Sequence, residues 1–460
     1  MSDETPQNLE NEERQGVDPE LVADMEHALD IEAREWLIEK FQDIHPADAA
    51  DALEQLSQDQ FELAVTLLGS ELPAEILIEL RDELRADAVE LLPDEAVAGA
   101  VDELTSDDAT AILDDLEEER LESILDELEP ADRATLEQNL AFDDETAGRL
   151  MQREFVAAPE FWTVGHTIDH ARATGENLPE QFFQIYVVDP AFRVQGAVPL
   201  AKLLATPRDV LLSDIMIEPQ TKITTDMDQE EVAFLFQKYS LVSAPVIDDS
   251  GRITGMITVD DMVHVIQEEN TEDLLALSGV TSADGSDTVL DAVKARAPWL
   301  MINLGTAFLA SAIISLFESA IDQIVALAIL MPVVAALGGN AGSQALAVAV
   351  RAIAERELEG SAARRAVRRE VLAGVVNGIL FAGGVGLIAG LWFQNWPLAG
   401  VIAIAMFATF VWAGLSGILV PLTLKRLGTD PAVASSVFVL TLTDITAFFS
   451  FLGLATIILL

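Results

Sequence analysis

The apolar positions at the start of the chain follow a helical period, and leucines recur every twelve residues. The series is Leu56, Leu68, Leu80, Leu92, Leu104, Leu116, Leu128 and Leu140. Twelve residues hold one short helix and a turn, and breaks such as Leu92-Pro93-Asp94 supply helix starts. We therefore predict a solenoid of stacked short helices over 26–145, preceded by a disordered acidic segment over 1–25. A coiled coil is the alternative, but it needs a seven-residue repeat, which Pro93 and Pro130 would interrupt.

The period changes after about Thr146, where two segments can be superposed at an offset of 59 residues. Residues 185–198 and 244–257 each predict a strand, a turn and a second strand, with a helix on either side. The second copy contains the run Val246-Ile-Asp-Asp-Ser-Gly-Arg-Ile-Thr-Gly-Met-Ile-Thr258. We interpret 146–268 as a tandem pair of α/β domains.

A polar, acidic helical segment over 269–296, with a break at Asp284-Gly285-Ser286, connects these domains to the apolar end of the chain. Five stretches beyond it are long and apolar enough to cross a bilayer, and they cover 297–317, 324–350, 371–393, 398–424 and 432–460. The predicted fold class is a multidomain membrane protein with an all-α helical-repeat solenoid, an α/β tandem pair, a connecting helix and a five-helix transmembrane bundle over 297–460.

Basic residues flank the five spans unevenly. Lys294 and Arg296 precede the first span, six arginines between 351 and 369 separate the second from the third, and Lys425 and Arg426 follow the fourth. By the positive-inside rule, the N-terminal domains lie in the cytosol and the C-terminus lies outside the plasma (inner) membrane. The polar N-terminus does not resemble a cleavable signal peptide, which agrees with this orientation.

The last span contains one ionisable residue, Asp444, about 18 Å from its start and close to the bilayer midplane. A carboxylate there costs on the order of 2.5–3.5 kcal/mol, so it is expected to face protein or water rather than lipid. It could hold the helices together by a hydrogen bond. Because no Lys or Arg lies in any apolar segment and Thr441, Thr443 and Thr446 surround it, we favour a cation site in a pore.

The second span is interrupted by Met331-Pro332 and by Gly338-Gly-Asn-Ala-Gly-Ser-Gln344. Glycines and amides in an apolar helix occur where helices pack closely or where the backbone lines a cavity. Close packing alone is one interpretation. The other is that Asn340 and Gln344, four residues apart and on one face, line the cytosolic half of a pore.

The composition is strongly acidic, with 78 Asp and Glu against 26 Lys and Arg and a formal net charge of −52. Adaptation to a salt-rich cytosol and binding of divalent cations both explain such an excess. The chain has no cysteine, and it lacks the P-loop, the Asp-Lys-Thr-Gly phosphorylation motif and His-Glu-x-x-His. We therefore expect a protein that is not an enzyme and has no nucleic-acid partner.

These parts, in this order, resemble the MgtE family of magnesium channels, and 146–268 resembles a tandem pair of CBS domains. The resemblance is carried by Pro332 to Gln344, by Thr441-Leu-Thr-Asp444-Ile-Thr446 and by the five spans behind an acidic helical domain. It implies a homodimer in the lipid bilayer with a pore between the two membrane domains. Asp444 would bind hydrated Mg²⁺, with Asn340, Gln344 and Thr441 lining the pore. CBS pairs also bind adenosine nucleotides, so ATP is a further expected ligand.

The resemblance further implies that the connecting helix over 269–296 plugs the pore when cytosolic Mg²⁺ fills acidic sites. The matching regulatory positions are Glu75, Asp107, Asp228, Asp260, Asp261, Glu269, Glu272, Asp273 and Asp430. Ala111, Ser240 and His264 stand where the family pattern has acidic residues, so one or two of those sites would differ here.

The predicted function is passive Mg²⁺ uptake through a channel that cytosolic Mg²⁺ closes. One alternative is a divalent-cation transporter coupled to Na⁺ or H⁺, for which Glu318 and Asp322 are the available second acids. Another is a membrane-bound CBS-type sensor that does not transport, with Asp444 serving only to hold the helices together.

Overall fold

The computed structural model describes residues 19–460 apart from 115, 176, 177, 180, 181, 219, 220, 281–288, 355, 357 and 359. The chain divides into two compact units, Met1–Ile266 and Gln267–Leu460. Of the segment predicted to be disordered, residues 1–18 lie outside the described residues, and a helix begins at Pro19. The predicted break at Asp284-Gly285-Ser286 also lies outside them.

Short helices form the first half of the first unit, as the leucine repeat predicts. They are α1 (Pro19–Asp30), α2 (Arg34–Asp43), α3 (Pro46–Glu54), α4 (Gln58–Leu68), α5 (Ala74–Glu79), α6 (Asp82–Leu91), α7 (Asp94–Glu103), α8 (Ser106–Leu113), α9 (Glu118–Glu127) and α10 (Pro130–Leu140), with a 3₁₀ turn at Gly69–Glu71. From α2 onward each helix packs against the helix two places further along, which is the stacking of a solenoid.

The repeated leucines lie at or just after the helix C-termini, and all eight belong to one hydrophobic core or pack against it. Leu68, Leu80 and Leu92 are fully or almost fully buried. Each leucine therefore anchors the end of a short helix in the core, while a Pro, Ser, Asp or Glu just beyond it starts the next helix.

Two small sheets follow, one in each CBS-like copy. After α11 (Ala147–Leu150), the first copy comprises β1 (Ala157–Pro159), α12 (Val164–Ala173), β2 (Gln184–Val188), β3 (Val194–Pro199) and α13 (Leu200–Ala205). The second comprises α14 (Leu212–Ile215), β4 (Ile223–Thr224), α15 (Gln229–Tyr239), β5 (Ser243–Ile247), β6 (Ile253–Thr258) and α16 (Val259–Leu277). In each copy a parallel pair of strands continues into an antiparallel pair.

The two CBS-like copies also match in backbone details at the 59-residue offset. The register shifts at Val188 in one copy and at Ile247 in the other. Asp189 and Asp248 each accept hydrogen bonds from the backbone amides two and four residues later. The helix predicted to follow the strands of the second copy is α16, which continues to Leu277 and so into the predicted connecting segment.

The second unit contains five helices long and apolar enough to cross a membrane, in agreement with the five predicted spans. They are α17 (Val289–Ser315), α19 (Ala326–Ala354), α20 (Ser361–Phe393), α21 (Trp396–Arg426) and α22 (Pro431–Leu459), with the short α18 (Glu318–Gln323) between the first two. α21 packs against α19, α20 and α22, and α22 also packs against α17.

Glycines set the closest approaches between these helices. A Cβ atom on Gly342 of α19 would lie 3.0 Å from both Thr443 Cγ2 and Val439 Cγ1 of α22. One on Gly374 of α20 would lie 2.7 Å from the Phe410 carbonyl oxygen of α21. Gly342 of the second span thus serves close helix packing, whereas the pore-lining role of Asn340 and Gln344 stays a prediction.

Candidate ion-binding sites

Four aspartates from two domains of the first unit form an acidic cluster. Asp107 and Asp108 lie in the first turn of α8, and Asp260 and Asp261 lie in the first turn of α16. Asp107, Asp108 and Asp261 are half-buried, whereas Asp260 is exposed. The Thr105 hydroxyl donates to Asp108 Oδ2 at 3.0 Å, and the Thr258 hydroxyl donates to Asp261 Oδ2 at 2.7 Å.

The carboxylates of this cluster interact unfavourably when ionised. Burial raises the pKa of Asp107 well above its usual range, and the charges of Asp261 and Asp108 raise it further. Burial also raises the pKa of Asp261 to about 6, with contributions from Asp260 and Asp108, and the Thr258 hydrogen bonds act in the opposite direction. The pKa of Asp108 is raised by burial and by Asp260. Binding of a proton or a cation would relieve the repulsion between these carboxylates.

A polar network beside the cluster joins the solenoid to the CBS-like pair. The Ser106 hydroxyl donates to Glu154 Oε2 at 2.9 Å, and Arg153 Nε donates to the Oδ1 atom of the fully buried Asn139 at 2.8 Å. Arg153 also donates to the Thr254 carbonyl of β6 at 3.2 Å. These bonds hold α8 and α10 near the second sheet, so the two aspartate pairs face each other across a defined contact.

Two other predicted positions of the first unit, and two of the departures from the family pattern, lie at the surface. Glu75 is exposed in the first turn of α5. Asp228 is exposed and caps α15, since its Oδ1 accepts from the Glu230 amide at 2.9 Å. His264 is exposed, as is Ser240, which ends α15 with a φ of 50°. Ala111 is half-buried in α8.

In the second unit, Glu269 and Asp273 are half-buried on one face of α16, whereas Glu272 is exposed. The same face contains Ala276, which is 6% exposed in a cluster with Leu346, Val350, Ala432 and Val439. The last turns of α16 therefore contact α19 and the start of α22. Asp430 lies two residues before Ala432 and caps α22 by accepting from its amide at 2.8 Å.

Asp444 lies in the middle of α22 and is half-buried. Within the described part of the chain, no hydrogen bond or ion pair involves its side chain. The hydroxyls around it are engaged with their own helix: Thr441 donates to the Val437 carbonyl at 2.6 Å, Thr443 to Val439 at 2.9 Å and Thr446 to Leu442 at 2.8 Å. The oxygen lone pairs of the half-buried Thr441 and Thr446 remain available as acceptors, whereas Thr443 is fully buried.

Asn340 and Gln344 are exposed on α19. Their face lies opposite Gly342, which packs against Thr443. Thr441 is half-buried on α22. A single chain thus presents the amides and Asp444 on two different helices, and no hydrogen bond joins them among the described residues.

Across the described residues, no group of three or more His, Cys, Asp or Glu side chains is arranged as a metal cage. Mg²⁺ keeps several of its waters and is bound through one or two carboxylates in many proteins. The paired aspartates of the acidic cluster and the single Asp444 suit a hydrated ion of this kind better than a dehydrated one.

A cleft of about 140 Å³ lies between the two CBS-like copies. Gln184 and Pro199 line it from the first copy, and Ser243 and Pro245 line it from the second, together with Glu218. Gln184 Nε2 donates to the Ser243 carbonyl at 3.0 Å. The cleft lining, within the described residues, includes no basic side chain, so it suits a purine or ribose better than phosphates.

Three family profiles match the chain. The MgtE profile, described as a divalent cation transporter, matches residues 331–454, and the profile of the MgtE intracellular N domain matches 44–145. A CBS domain profile matches 212–268. The order of these matches is the order of domains predicted from the sequence.

Curated relatives extend the similarity. A magnesium transporter MgtE of Enterococcus faecalis is 34% identical over 321 residues, which are 70% of this chain and 71% of that protein. Another from Thermus thermophilus is 33% identical over 334 residues, which are 72% of this chain and 74% of that protein. A crystal structure of the cytosolic domain of the Mg²⁺ channel MgtE with ATP is 30% identical, with a TM-score of 0.48, and covers 53% of this chain and 99% of that one.

Two relatives are similar to this chain over more than two thirds of their length, and the three profiles match in order. The five apolar helices agree with both findings, and together they lead to one assignment. The chain belongs to the MgtE family.

Proposed function

We propose that this chain transports Mg²⁺ across the plasma membrane through a pore in which Asp444 binds the hydrated ion. The observation that carries the proposal is a half-buried carboxylate in the middle of an apolar helix with no protein partner among the described residues. A group so placed is unfavourable unless water or a cation reaches it. The relatives' role in Mg²⁺ transport supports the choice of ion.

The pore is completed by a second copy of the chain. Asn340 and Gln344 are exposed on α19, and Asp444 is only half-buried on α22, so both helices offer polar groups that this copy leaves uncovered. Two Asp444 side chains across a two-fold axis would match the charge of one divalent ion. The amides and Thr441 would contact its water shell, which permits selective binding that still releases the ion.

Closure of the pore depends on the acidic cluster. With Mg²⁺ absent, the charges on Asp107 and Asp108 oppose those on Asp260 and Asp261, and the solenoid separates from the CBS pair. Bound Mg²⁺ draws the two pairs together. Glu269, Glu272, Asp273 and Asp430 form a second group around the contact between α16 and α22, where Mg²⁺ would hold α16 as a plug. Glu75 and Asp228 add exposed carboxylates to the cytosolic surface.

The orientation rests on the basic flanks of the spans. Arg364 and Arg368 begin α20, and Lys425 and Arg426 end α21, so both ends lie on the cytosolic side. The first unit is then cytosolic and senses cytosolic Mg²⁺. Passive influx follows the membrane potential, and the chain catalyses no reaction.

Asp444→Asn tests the pore. We expect Mg²⁺ flux into liposomes containing the reconstituted variant to fall at least about tenfold, because the amide has no charge to attract a divalent ion. Asp322→Asn and Glu318→Gln, which change acids near the far end of the membrane unit, should leave the flux unchanged. Flux that persists in Asp444→Asn, or that requires a Na⁺ or H⁺ gradient, would contradict a passive pore at this residue.

We also propose that the cleft between the CBS-like copies binds the adenosine part of ATP. Its position between the two copies and the absence of a basic side chain from its described lining support this part of the ligand, and a mutation that fills the cleft tests the idea. Ala197→Trp, in the cleft lining, should abolish ATP binding to the full-length protein in isothermal titration. Ala47→Trp, at a half-buried position of the solenoid, is the control. Equal ATP binding by the unsubstituted protein, Ala197→Trp and Ala47→Trp would contradict the proposed ATP site.

A further inference from the structure

The membrane unit contains a groove of about 310 Å³ between α21 and α22 that the proposed pore does not use. Its lining includes Trp412, Ser416, Leu419, Thr423, Phe438 and Leu442. Trp412, Leu419 and Phe438 are 38%, 42% and 54% exposed. On the helical wheel of α22, Phe438 and Leu442 lie well away from the face of Asp444, so the groove opens on another side of the bundle.

The groove presents an apolar surface despite its two hydroxyls. Ser416 Oγ donates to the Ala413 carbonyl at 3.3 Å, and Thr423 Oγ1 donates to the Leu419 carbonyl at 2.7 Å. Both protons are therefore used within α21. A polar solute would find few hydrogen-bond donors along this surface and would lose hydrogen bonds to water. A hydrocarbon chain makes no hydrogen bonds, so it would bind there without that cost.

The length of the groove matches the thickness of the hydrocarbon layer of one leaflet. Trp412 and Thr423 are eleven residues apart, about 17 Å along a helix at 1.5 Å per residue. Half of a hydrocarbon core of about 30 Å is close to this value. The groove thus extends from near the midplane to the end of α21, where a phospholipid headgroup would lie.

A basic residue stands at that end on the same face. Arg426 follows Thr423 by three residues and Leu419 by seven, so it continues the stripe that lines the groove. Lys425 is rotated by about 100° from Arg426 and leaves the stripe. Arg426 is exposed, and it has no ion-pair partner among the described residues. The nearest acid along the chain, Asp430, accepts a hydrogen bond from the Ala432 amide.

From these observations we infer that the groove binds one acyl chain of an anionic phospholipid of the cytosolic leaflet, whose phosphate pairs with Arg426. A zwitterionic lipid would fill the same groove but would gain less from the guanidinium. Anionic lipid should be preferred about fivefold, the effect expected for one basic side chain near the membrane surface.

Trp412 is the probe for the test. The full-length chain with Trp299, Trp392 and Trp396 replaced by phenylalanine is reconstituted in phosphatidylcholine bilayers that contain brominated phosphatidylglycerol or brominated phosphatidylcholine. Bromine quenches an indole that it contacts. We expect half-maximal quenching of Trp412 at about a fivefold lower mole fraction of the brominated anionic lipid.

Arg426→Gln should remove this preference, whereas Lys425→Gln and the conservative Arg426→Lys should retain it. Equal quenching by the two lipids in the unsubstituted chain, or a preference that survives Arg426→Gln, would overturn the inference. Absence of quenching by either lipid would also overturn it, since a second copy of the chain would then cover the groove.

A second measurement does not depend on the tryptophan substitutions. Native mass spectrometry of the unsubstituted protein should detect anionic phospholipid that remains bound after detergent exchange. This lipid should be lost in Arg426→Gln and kept in Lys425→Gln. Equal retention in both variants would place the lipid elsewhere.

Discussion

At the scale of single residues, the protonation of Asp261 links the acidic cluster to pH. Its pKa in the folded protein is about 6, above the usual value for aspartate, because the carboxyl is buried near Asp260 and Asp108. A raised folded-state pKa means that the folded state binds more protons than the unfolded state between about pH 4 and 6. Over that window the contribution of Asp261 to the free energy of unfolding falls as the pH rises.

Protons should therefore compete with Mg²⁺ at the cluster. Lowering the pH from 7 to 5 should weaken Mg²⁺ binding to the full-length protein about tenfold, because Asp261 is then mostly protonated. Isothermal titration at the two pH values measures this change. In Asp261→Asn the remaining affinity should vary less with pH, and an unchanged dependence would contradict the role of this carboxyl.

Within the acidic cluster, the sequence was informative for individual residues only where a resemblance supplied their roles. Asp107 and Asp261 were predicted in this way, whereas Asp108 was not, although it joins the same cluster. An aspartate doublet carries little information in a chain of net charge −52. The capping bonds of Asp228 and Asp430 depend on the local backbone, which residue spacing alone does not specify.

At the scale of helices, the contact between α20 and α21 depends on glycine. Gly374→Ala should destabilise the membrane unit by about 1–3 kcal/mol, because the new Cβ would lie 2.7 Å from a backbone oxygen that cannot rotate away. Gly383→Ala in the same helix is the control, since its Cβ would meet nothing within 4 Å. Unfolding in mixed detergent micelles compares the two, and equal stability would contradict the packing.

The helix ends show what apolar content can and cannot predict. The third span was expected to begin at Val371, but α20 begins at Ser361. The added residues include Arg364, Arg365, Arg368 and Arg369, which favour helix yet fall outside an apolar window. The type and number of membrane helices were predictable from hydrophobicity, whereas their extensions beyond the apolar stretches were not.

At the scale of the whole molecule, the proposed Mg²⁺-dependent closure requires the acidic cluster to act on the proposed pore. In the double variant Asp107→Asn/Asp261→Asn, closure should need about tenfold more Mg²⁺, because each substitution removes a charge that attracts the ion. Single-channel recording with Mg²⁺ varied on the cytosolic side measures this shift.

Asp59→Asn/Asp132→Asn is the matched control for that experiment, since it removes the same charge from exposed sites of the solenoid. An equal shift in both double variants would attribute closure to net charge rather than to the cluster. The comparison also separates ion sensing from the general acidity of the chain, which salt adaptation explains as well.

The order of domains was predicted from the sequence, since each part has its own period: twelve residues in the solenoid, an offset of 59 in the CBS pair and long apolar runs in the membrane. The assembly of the proposed pore from two copies was implied only by the family resemblance. Asn340 and Gln344 lie on a face of α19 opposite the contact with α22, so in the proposed pore they would meet Asp444 only through a second chain, which intrachain patterns do not encode.

The hydroxyls of α22 have one more consequence. Thr443 is fully buried, whereas the half-buried Thr441 lies nearest to the face of Asp444. Since Thr441 gives its proton to the Val437 carbonyl of its own helix, it can offer only oxygen to an ion that passes through the proposed pore. Water molecules that hydrate a cation point their hydrogens outward and could donate hydrogen bonds to such an oxygen. Water molecules that hydrate chloride point their oxygens outward and would find no donor there. Rejection of anions would thus begin before any ion reaches the carboxylate.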